Sequence, residues 1–338
     1  MKKICLLAFI LLGSCRKEKM PLPEYTLAGE EIVLPDNAAL NFNDLFLNEA
    51  EHCILKAELT GDIALKKIYY EADSVANMFH RGRGPGEYLY LRIQQIDPRG
   101  NFLAIGALKG NVLYFTPSGE QRETVRIKSS AFNVVDLGER LVSYGSDSSM
   151  YRLWDRTGNL LADFGTYPDE KPCEGQYKKM AYQGKLLANP ERNRFAFLCS
   201  SANVFEIYEI GRDDTPRPIF SIRESLPEYR LQKQVIGVTY TDCTAGYTDA
   251  YATARSIYAL YSGKDMDHIR TDEDMRRAIE NDRIEVYDWD GAHRCDLLLD
   301  RPILDFCVGS DDGFLIALYS DEGEMRFCKY DLAGIGIR

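Results

Sequence analysis

The chain lacks the features that mark membrane-spanning and nucleic-acid-binding proteins. After residues 4–12, no apolar run approaches the ~20 residues that a transmembrane helix needs. No long run of Lys or Arg follows the first twenty residues, and the net charge is −11 over 338 residues. Because basic side chains supply most of the affinity for a polyanion, we expect no nucleic-acid partner.

The motifs of several common enzyme classes are also missing. The four histidines are far apart in the sequence and form no H-E-x-x-H motif. There is no G-x-S-x-G element, and neither Gly184-Lys185 nor Gly263-Lys264 belongs to a Walker sequence. We therefore assign no catalytic residue and expect neither a metal ion nor a cofactor.

The cysteines show no pairing pattern. Apart from Cys5 and Cys15 there are seven, an odd number, and no two are spaced as C-x-x-C. Several, such as Cys199 and Cys307, lie within apolar segments that resemble strands. This scatter favours buried free thiols over a disulfide framework or a zinc site.

The N-terminal residues have the order of a secretory signal peptide. Lys2 and Lys3 precede nine apolar residues, 4–12, which is the length of a secretory hydrophobic region. The following Leu12-Gly13-Ser14-Cys15 resembles the bacterial lipobox, whose cysteine is acylated and becomes the first mature residue. An ordinary signal peptide with an incidental cysteine is the alternative. We predict a signal peptide over residues 1–14 and lipidation of Cys15.

The residues after Cys15 predict a tether that leads to one folded domain. Residues 16–35 are polar and contain three prolines, so we assign residues 15–38 to a tether and 39–338 to the domain. Cleavage before Cys15 removes two lysines and takes the charge from −11 to −13. Lipid alone would hold the protein at the membrane.

The residue after Cys15 bears on localisation. General lipoprotein sorting places Asp there for retention in the inner membrane, whereas this chain has Arg16. Related lipoproteins at the cell surface often have acidic residues at this point, but residues 16–19 are mainly basic. We expect an outer-membrane lipoprotein on the periplasmic face, with the cell surface as the alternative.

One pattern recurs six times along the chain. Alternating apolar residues are followed by an aromatic residue, a polar or acidic residue and, a few positions later, Gly or Ser. Each copy is typical of a strand that ends in a tight turn, and most copies run into a second strand-like segment. The copies are Lys67 to Ser74, Val112 to Gly119, Tyr151 to Gly158, Phe205 to Gly211, Ile284 to Gly291 and Phe327 to Gly334.

The spacing of these copies indicates the fold. Their last residues are 45, 39, 53, 80 and 43 positions apart, and a four-stranded propeller blade takes ~40–50 residues. We predict an all-β protein with a six-bladed β-propeller; a pair of β-sandwiches would not call for such regular spacing. The interval of 80 must contain an insertion, for which we predict one small helix from Thr271 to Asn281.

A glycine-rich segment supplies the candidate binding residues. Residues 79–88 read FHRGRGPGEY, and their G-x-G-x-G differs from the dinucleotide motif G-x-G-x-x-G. Pro85 and a following strand-like segment also argue against a helix that could bind phosphate. The segment is either a loop that only connects two blades or a loop that presents ligand-binding residues at the channel mouth. The candidate ligand-binding residues are Arg81, Arg83, Glu87 and Tyr88.

This segment, together with residues 257–264 (IYALYSGK) and 286–291 (VYDWDG), resembles the TolB-like six-bladed β-propeller lipoproteins of bacteria. The resemblance extends from about Leu40 to Gly334 and includes the lipobox. It implies a propeller and names no activity.

Two functions remain open at the level of sequence. The leading hypothesis is a noncatalytic, lipid-anchored propeller, expected to be a monomer, that binds an unknown envelope protein or a small ligand. The alternative is a hydrolase or lactonase that uses a divalent cation held in the channel by Asp, Asn and Glu from several blades, which is an argument from fold alone. Besides the glycine-rich segment, five tyrosines form a second candidate surface: Tyr240, Tyr247, Tyr251, Tyr258 and Tyr261.

Overall fold

The structure is a computed structural model. It describes residues 21–34, 44–58, 60–72, 74–106, 110–128, 133–146, 148–171, 175–232, 237–266 and 269–336. The predicted signal peptide, the lipidation site Cys15 and part of the predicted tether lie outside the described residues, as do Cys173 and His268.

Six antiparallel sheets follow one another along the chain, and each is one blade of a propeller. Blade 1 contains β3 (Leu45–Asn48), β4 (Cys53–Ala57), β5 (Ile63–Tyr69) and β6 (Ser74–His80). Blade 2 contains β7 (Leu91–Ile96), β8 (Phe102–Gly106), β9 (Asn111–Phe115) and β10 (Gln121–Arg126). Blade 3 contains β11 (Asn133–Asp136), β12 (Arg140–Tyr144), β13 (Tyr151–Asp155) and β14 (Leu160–Phe164).

The second half of the ring has the same plan with additions. Blade 4 contains β15 (Gly184–Asn189), β16 (Arg194–Cys199), β17 (Asn203–Ile210) and β18 (Pro216–Glu224). Blade 5 contains β21 (Tyr247–Ala252), β22 (Ser256–Tyr261), β23 (Asn281–Asp288) and β24 (His293–Ile303). Blade 6 contains β25 (Asp305–Val308), β26 (Phe314–Asp321) and β27 (Glu324–Asp331). The additions are helices α1 (Gly175–Ala181) and α2 (Asp272–Ile279), and a hairpin of β19 (Glu228–Gln232) and β20 (Gly237–Asp242).

The N-terminal residues close the ring. Strand β2 (Glu30–Ile32) pairs with β27 and supplies the outer strand that blade 6 lacks, and β1 (Glu24–Leu27) adds a parallel fifth strand to blade 5. Residues 24–27 and 30–32 fall within the segment that we predicted as a tether, so this part of the chain is instead paired with the propeller. Pairing satisfies backbone groups on the outer edges of blades 5 and 6 that would otherwise face water.

The hydrophobic core is divided among the six interfaces between neighbouring blades. Each of six buried clusters combines side chains from one blade and the next, including the pair of blades 6 and 1. In β16, Phe195 and Phe197 pack towards blade 3 while Ala196 and Leu198 pack towards blade 5. The sequence pattern indicated half-buried strands. In the structure the middle strands of each blade are buried almost along their whole length, because neighbouring blades cover both faces.

The sequence repeat corresponds to one structural position. All six copies coincide with the third strand of a blade. The closing Gly lies just after that strand or in the turn that follows it, and in blade 1 the closing Ser74 begins the next strand. Gly158 shows why glycine is needed: its φ is +83°, and a Cβ there would lie 2.0 Å from the Arg126 carbonyl oxygen. The prediction of six blades is therefore confirmed.

The long interval contains the predicted helix and a hairpin that was not predicted. Helix α2 begins after Thr271, whose side chain accepts a hydrogen bond from the Asp274 amide in a capping box, as its sequence indicated. Helix α1 was missed because its sequence, GQYKKMA, has neither a capping residue nor an apolar period.

The following described cysteines are buried free thiols, as their scatter predicted: Cys53, Cys199, Cys295, Cys307 and Cys328. Cys243 is buried as well. Burial raises the pKa of Cys199 to about 11, so this thiol stays protonated at neutral pH. Neither helix of the described residues is long or apolar enough to cross a bilayer.

Candidate functional site

The six inner strands begin at one end of the central channel, which we call the channel mouth. A polar side chain near the start of these strands joins every blade to the next. The six links are Asp44 to Arg92, Gln94 to the Val134 amide, Asn133 to the Gly184 carbonyl, Lys185 to Asp249, Asp249 to the Phe306 amide, and Asp305 to the Leu45 amide. These links hold the mouth as one polar ring.

Lys185 is the centre of the charged part of this ring. Its Nζ lies 2.6 Å from Asp249 Oδ1 on blade 5 and 3.3 Å from Asp44 Oδ1 on blade 1, the blade opposite its own. The second oxygen of Asp249 accepts a hydrogen bond from the Phe306 amide at 2.9 Å. The side chain of Lys185 is only 17% exposed and that of Asp249 only 4%, so the pair is shielded from solvent.

The pKa values of Asp44 and Asp305 shift in opposite directions because their neighbours differ. Burial raises the pKa of Asp44, but Lys185 and Arg92 outweigh it, so the pKa lies below its usual value. Burial and the charge of Asp249 raise the pKa of Asp305 well above its usual value, and Lys185 only partly opposes them. Burial lowers the pKa of Lys185, but Asp249, Asp44 and Asp305 together raise it. Lys185 thus favours the charged form of Asp44, whereas burial beside Asp249 favours the protonated form of Asp305.

Above this ring is a cavity of about 640 Å³. Its floor presents the carboxyl groups of Asp44, Asp249 and Asp305, with the side chains of Gln183, Ser200, Ser201 and Thr248 around them. Its wall is apolar and comes mainly from the inserted elements: Met180 of α1, Val238 and Tyr240 of β20, Cys243, Met266, Ile279 of α2 and Leu304. A concave site with an apolar wall and a few polar groups is the usual form of a small-molecule site.

Asp169 holds the inserted elements over the mouth. One of its carboxylate oxygens accepts hydrogen bonds from Tyr182 at 2.7 Å and from Tyr229 of the hairpin at 2.9 Å. Its other oxygen lies 3.0 Å from Lys178 Nζ of α1. Burial raises the pKa of Asp169, but these partners outweigh it and lower the pKa. The carboxylate therefore joins α1 to the hairpin at neutral pH.

The floor does not fit a divalent cation. Among the described residues, no three His, Cys, Asp or Glu side chains are arranged to hold a metal ion. Lys185 Nζ bonds both Asp44 and Asp249 and competes for the oxygens that a metal ion would need. The channel cation of the hydrolase alternative thus finds no group of three His, Cys, Asp or Glu ligands in the part of the chain that the structure describes.

The glycine-rich segment connects β6 to β7, and its four candidate residues are absent from the cavity lining. The Arg81 guanidinium donates hydrogen bonds to the Gly61 and Leu89 carbonyls at 2.8 and 2.7 Å. It also donates to the backbone carbonyl of Glu58. Glu87 accepts a hydrogen bond from the Gly84 amide at 2.9 Å, within the same loop.

The two other candidates differ in exposure. Tyr88 packs its ring on Phe79 and Phe115, and its hydroxyl donates to Gln121. Arg83 is exposed to solvent. The loop arrangement matches its connecting role, and ligand binding by these residues stays a prediction.

The second candidate surface is divided by the fold. Tyr240 lines the cavity, whereas Tyr247 and Tyr258 are buried in the cores of blade 5. Sequence reasoning missed the ring residues Asp44, Lys185, Asp249 and Asp305. The only available signal was their common position at the start of the first strand of a blade, which required the blade boundaries to be known.

Comparisons with known proteins agree with this architecture. The TolB-like 6-blade propeller-like family matches residues 58–311. A Bacteroides fragilis protein, provisionally described as exported, has a similar structure with a TM-score of 0.53 and 12% identity, over 91% of this chain and 98% of that one. A member of the DUF4221 family from Bacteroides vulgatus has a TM-score of 0.50 and 10% identity, over 85% and 91% of the two chains.

No curated protein matches the chain in sequence. At these low identities the two solved structures are evidence for the fold alone. The match over residues 58–311 covers most of the chain and all or part of every blade. The chain belongs to the TolB-like 6-blade propeller-like family.

Proposed function

We propose that this protein is an exported, lipid-anchored propeller that binds a small ligand in the cavity at the channel mouth without transforming it. The observation that carries the proposal is the cavity itself, with its apolar wall from inserted elements and its polar floor from the ring. Insertions on a regular scaffold are where propellers and other repeat folds place binding surfaces.

The chemistry of the floor favours binding over catalysis. Asp249 uses one oxygen for Lys185 and the other for the Phe306 amide, and Asp305 accepts from the Leu45 amide. A general base or nucleophile must be free to reach its substrate. These carboxyl groups are engaged in holding blades 4, 5, 6 and 1 together, so we assign them a structural and recognition role.

The ligand site can be tested by filling the cavity. A thermal-shift screen of a small-molecule library on the purified protein should find compounds that raise Tm. Val238→Trp should abolish these shifts, because Val238 lies in the cavity wall. Leu160→Trp is the matched control, since Leu160 is 46% exposed on the outer strand of blade 3. The proposal fails if the screen finds no ligand and crosslinked envelopes yield no partner, or if Val238→Trp binds as well as the wild type.

Lipid anchoring at Cys15 is the second part of the proposal. The lipobox-like sequence supports it. The Bacteroides fragilis protein of similar fold, provisionally described as exported, supports export. Cells that express the protein should incorporate labelled palmitate into it, and Cys15→Ser should abolish the label. Protease added to intact cells should leave the domain uncut if it is on the periplasmic face; release of the domain would place it on the cell surface.

A further inference from the structure

We propose that the cavity at the channel mouth recognises an amphipathic amine, with the ammonium group at the polar floor and the apolar part against the inserted elements. The proposal rests on the proposed function and adds the chemical class of the ligand. It starts from the hydrogen-bond donors of the cavity that already have acceptors within the protein.

The hydroxyl groups around the floor donate their hydrogen bonds to backbone carbonyls. Ser200 donates to the Gln183 carbonyl at 2.9 Å and Ser201 to the Ala181 carbonyl at 2.6 Å. Thr248 donates to the Leu260 carbonyl at 3.2 Å, and the Tyr240 hydroxyl donates to Ala181 at 2.8 Å. What these groups present to the cavity is therefore mostly oxygen lone pairs, which accept hydrogen bonds.

The acidic residues of the ring line the cavity, and the basic ones do not. Asp44, Asp249 and Asp305 line the cavity, whereas their cationic partners Lys185 and Arg92 do not. The ring residues that a ligand meets are thus acidic, whereas Lys185 and Arg92 lie outside the lining. Asp44 is the most accessible of the three, since its side chain is 28% exposed. A carboxylate oxygen can accept more than one hydrogen bond, so Asp44 can bind a ligand while it keeps Lys185.

An ammonium group complements this floor better than a hydroxyl or a carboxylate does. It carries three donors and no acceptor, and its charge is opposite to that of Asp44. A carboxylate would meet like charge, and a hydroxyl would offer a single donor. The net charge of −11 also favours the approach of cations over anions.

The wall requires the rest of the ligand to be apolar. Met180, Val238, Met266 and Ile279 surround the upper part of the cavity, and Tyr240 offers an aromatic face. Methionine side chains adapt to ligands of different shape, so the wall suits alkyl or aromatic groups. An amine joined to a hydrocarbon group matches both parts.

Three probes of similar size separate the head groups: 2-phenylethylamine, 2-phenylethanol and phenylacetate. Each is titrated into the purified full chain by calorimetry at pH 7. We expect the amine to bind at least tenfold more tightly than the alcohol, and phenylacetate to bind most weakly. Asp44→Asn should remove the advantage of the amine, whereas Asp282→Asn, at an exposed site outside the cavity lining, should leave it unchanged. Val238→Trp should abolish binding of all three.

The outcomes distinguish this inference from the proposed function. If the alcohol or phenylacetate binds as tightly as the amine, and Val238→Trp abolishes that binding, the cavity is a ligand site and the amine class is wrong. If none of the three binds while the library screen finds a cavity ligand of another class, the amine class is wrong again. If Asp44→Asn does not fold, the order of the three affinities on the wild type still decides the question.

Discussion

Lys185 and Asp44 form an ion pair across the central channel, with Nζ 3.3 Å from Oδ1, although their blades are opposite each other in the ring. The same ammonium lies 2.6 Å from Asp249 on the adjacent blade. One side chain therefore connects three of the six blades at the channel mouth. Both the stability of the ring and the charge of the cavity floor therefore depend on Lys185.

Lys185→Met should strongly destabilise the protein. The substitution leaves the shielded carboxylate of Asp249 without its cation and leaves Asp44 with Arg92 alone. Breaking a buried ion pair on one side costs about 3–5 kcal/mol. Urea denaturation should show this loss in the free energy of unfolding. The exposed Lys128→Met should change it by no more than about 0.5 kcal/mol. The double variant Lys185→Met, Asp249→Asn should recover part of the loss, and a double variant as unstable as the single one would contradict this account.

Asp305→Asn should become relatively more stable as pH rises. The raised pKa of Asp305 means that the folded state holds a proton that the unfolded state has released. Wild-type stability is therefore lost as pH rises from about 4, the usual range of an aspartate, through the raised pKa. Asparagine cannot lose a proton and can still accept from the Leu45 amide. The free energies of unfolding of Asp305→Asn and of the wild type should be measured at pH 4 and at pH 8. The stability of the variant relative to the wild type should be greater at pH 8 than at pH 4. If this relative stability does not depend on pH, the raised pKa of Asp305 is wrong.

Ring closure by the N-terminus can be tested at two neighbouring residues. Ile32 packs into the core between blades 6 and 1, whereas Val33 is 74% exposed. Ile32→Asn should cost about 1–3 kcal/mol, because it removes buried apolar surface and adds a polar group. Val33→Asn should cost less than about 0.5 kcal/mol. Equal effects in thermal and urea unfolding would mean that β2 does not hold blade 6.

The glycine-rich loop offers a similar comparison. Arg81 donates to several backbone carbonyls, and lysine cannot reproduce that planar arrangement of donors. Arg81→Lys should lower the free energy of unfolding by about 1–2 kcal/mol. Arg83→Lys, two residues away and exposed, should have little effect. If Arg81→Lys is neutral for stability but weakens a ligand identified in the screen, the binding role predicted for this loop is correct.

Much of the fold could be predicted because its signals are local. The repeat that ends at Gly119, Gly158 and Gly291 requires only the period of a strand and a turn in which φ is positive. Helix α2 was found because its capping box, Thr271 and Asp274, is contained within four residues. The hairpin β19–β20 and helix α1 escaped because they are stabilised by distant partners such as Asp169, and their own sequences carry weak signals.

The sequence by itself determined the number of blades and the strand that repeats in each, because these depend on residues close together in the chain. Only the tertiary structure decided that residues 24–32 belong to the propeller and that Asp44, Lys185, Asp249 and Asp305 meet at the mouth. Asp44 and Asp305 are 261 residues apart, and the closed ring alone brings them together. At the mouth, Lys185 and Arg92 lower the pKa of Asp44 while burial raises the pKa of Asp305, which the composition of the chain could not indicate.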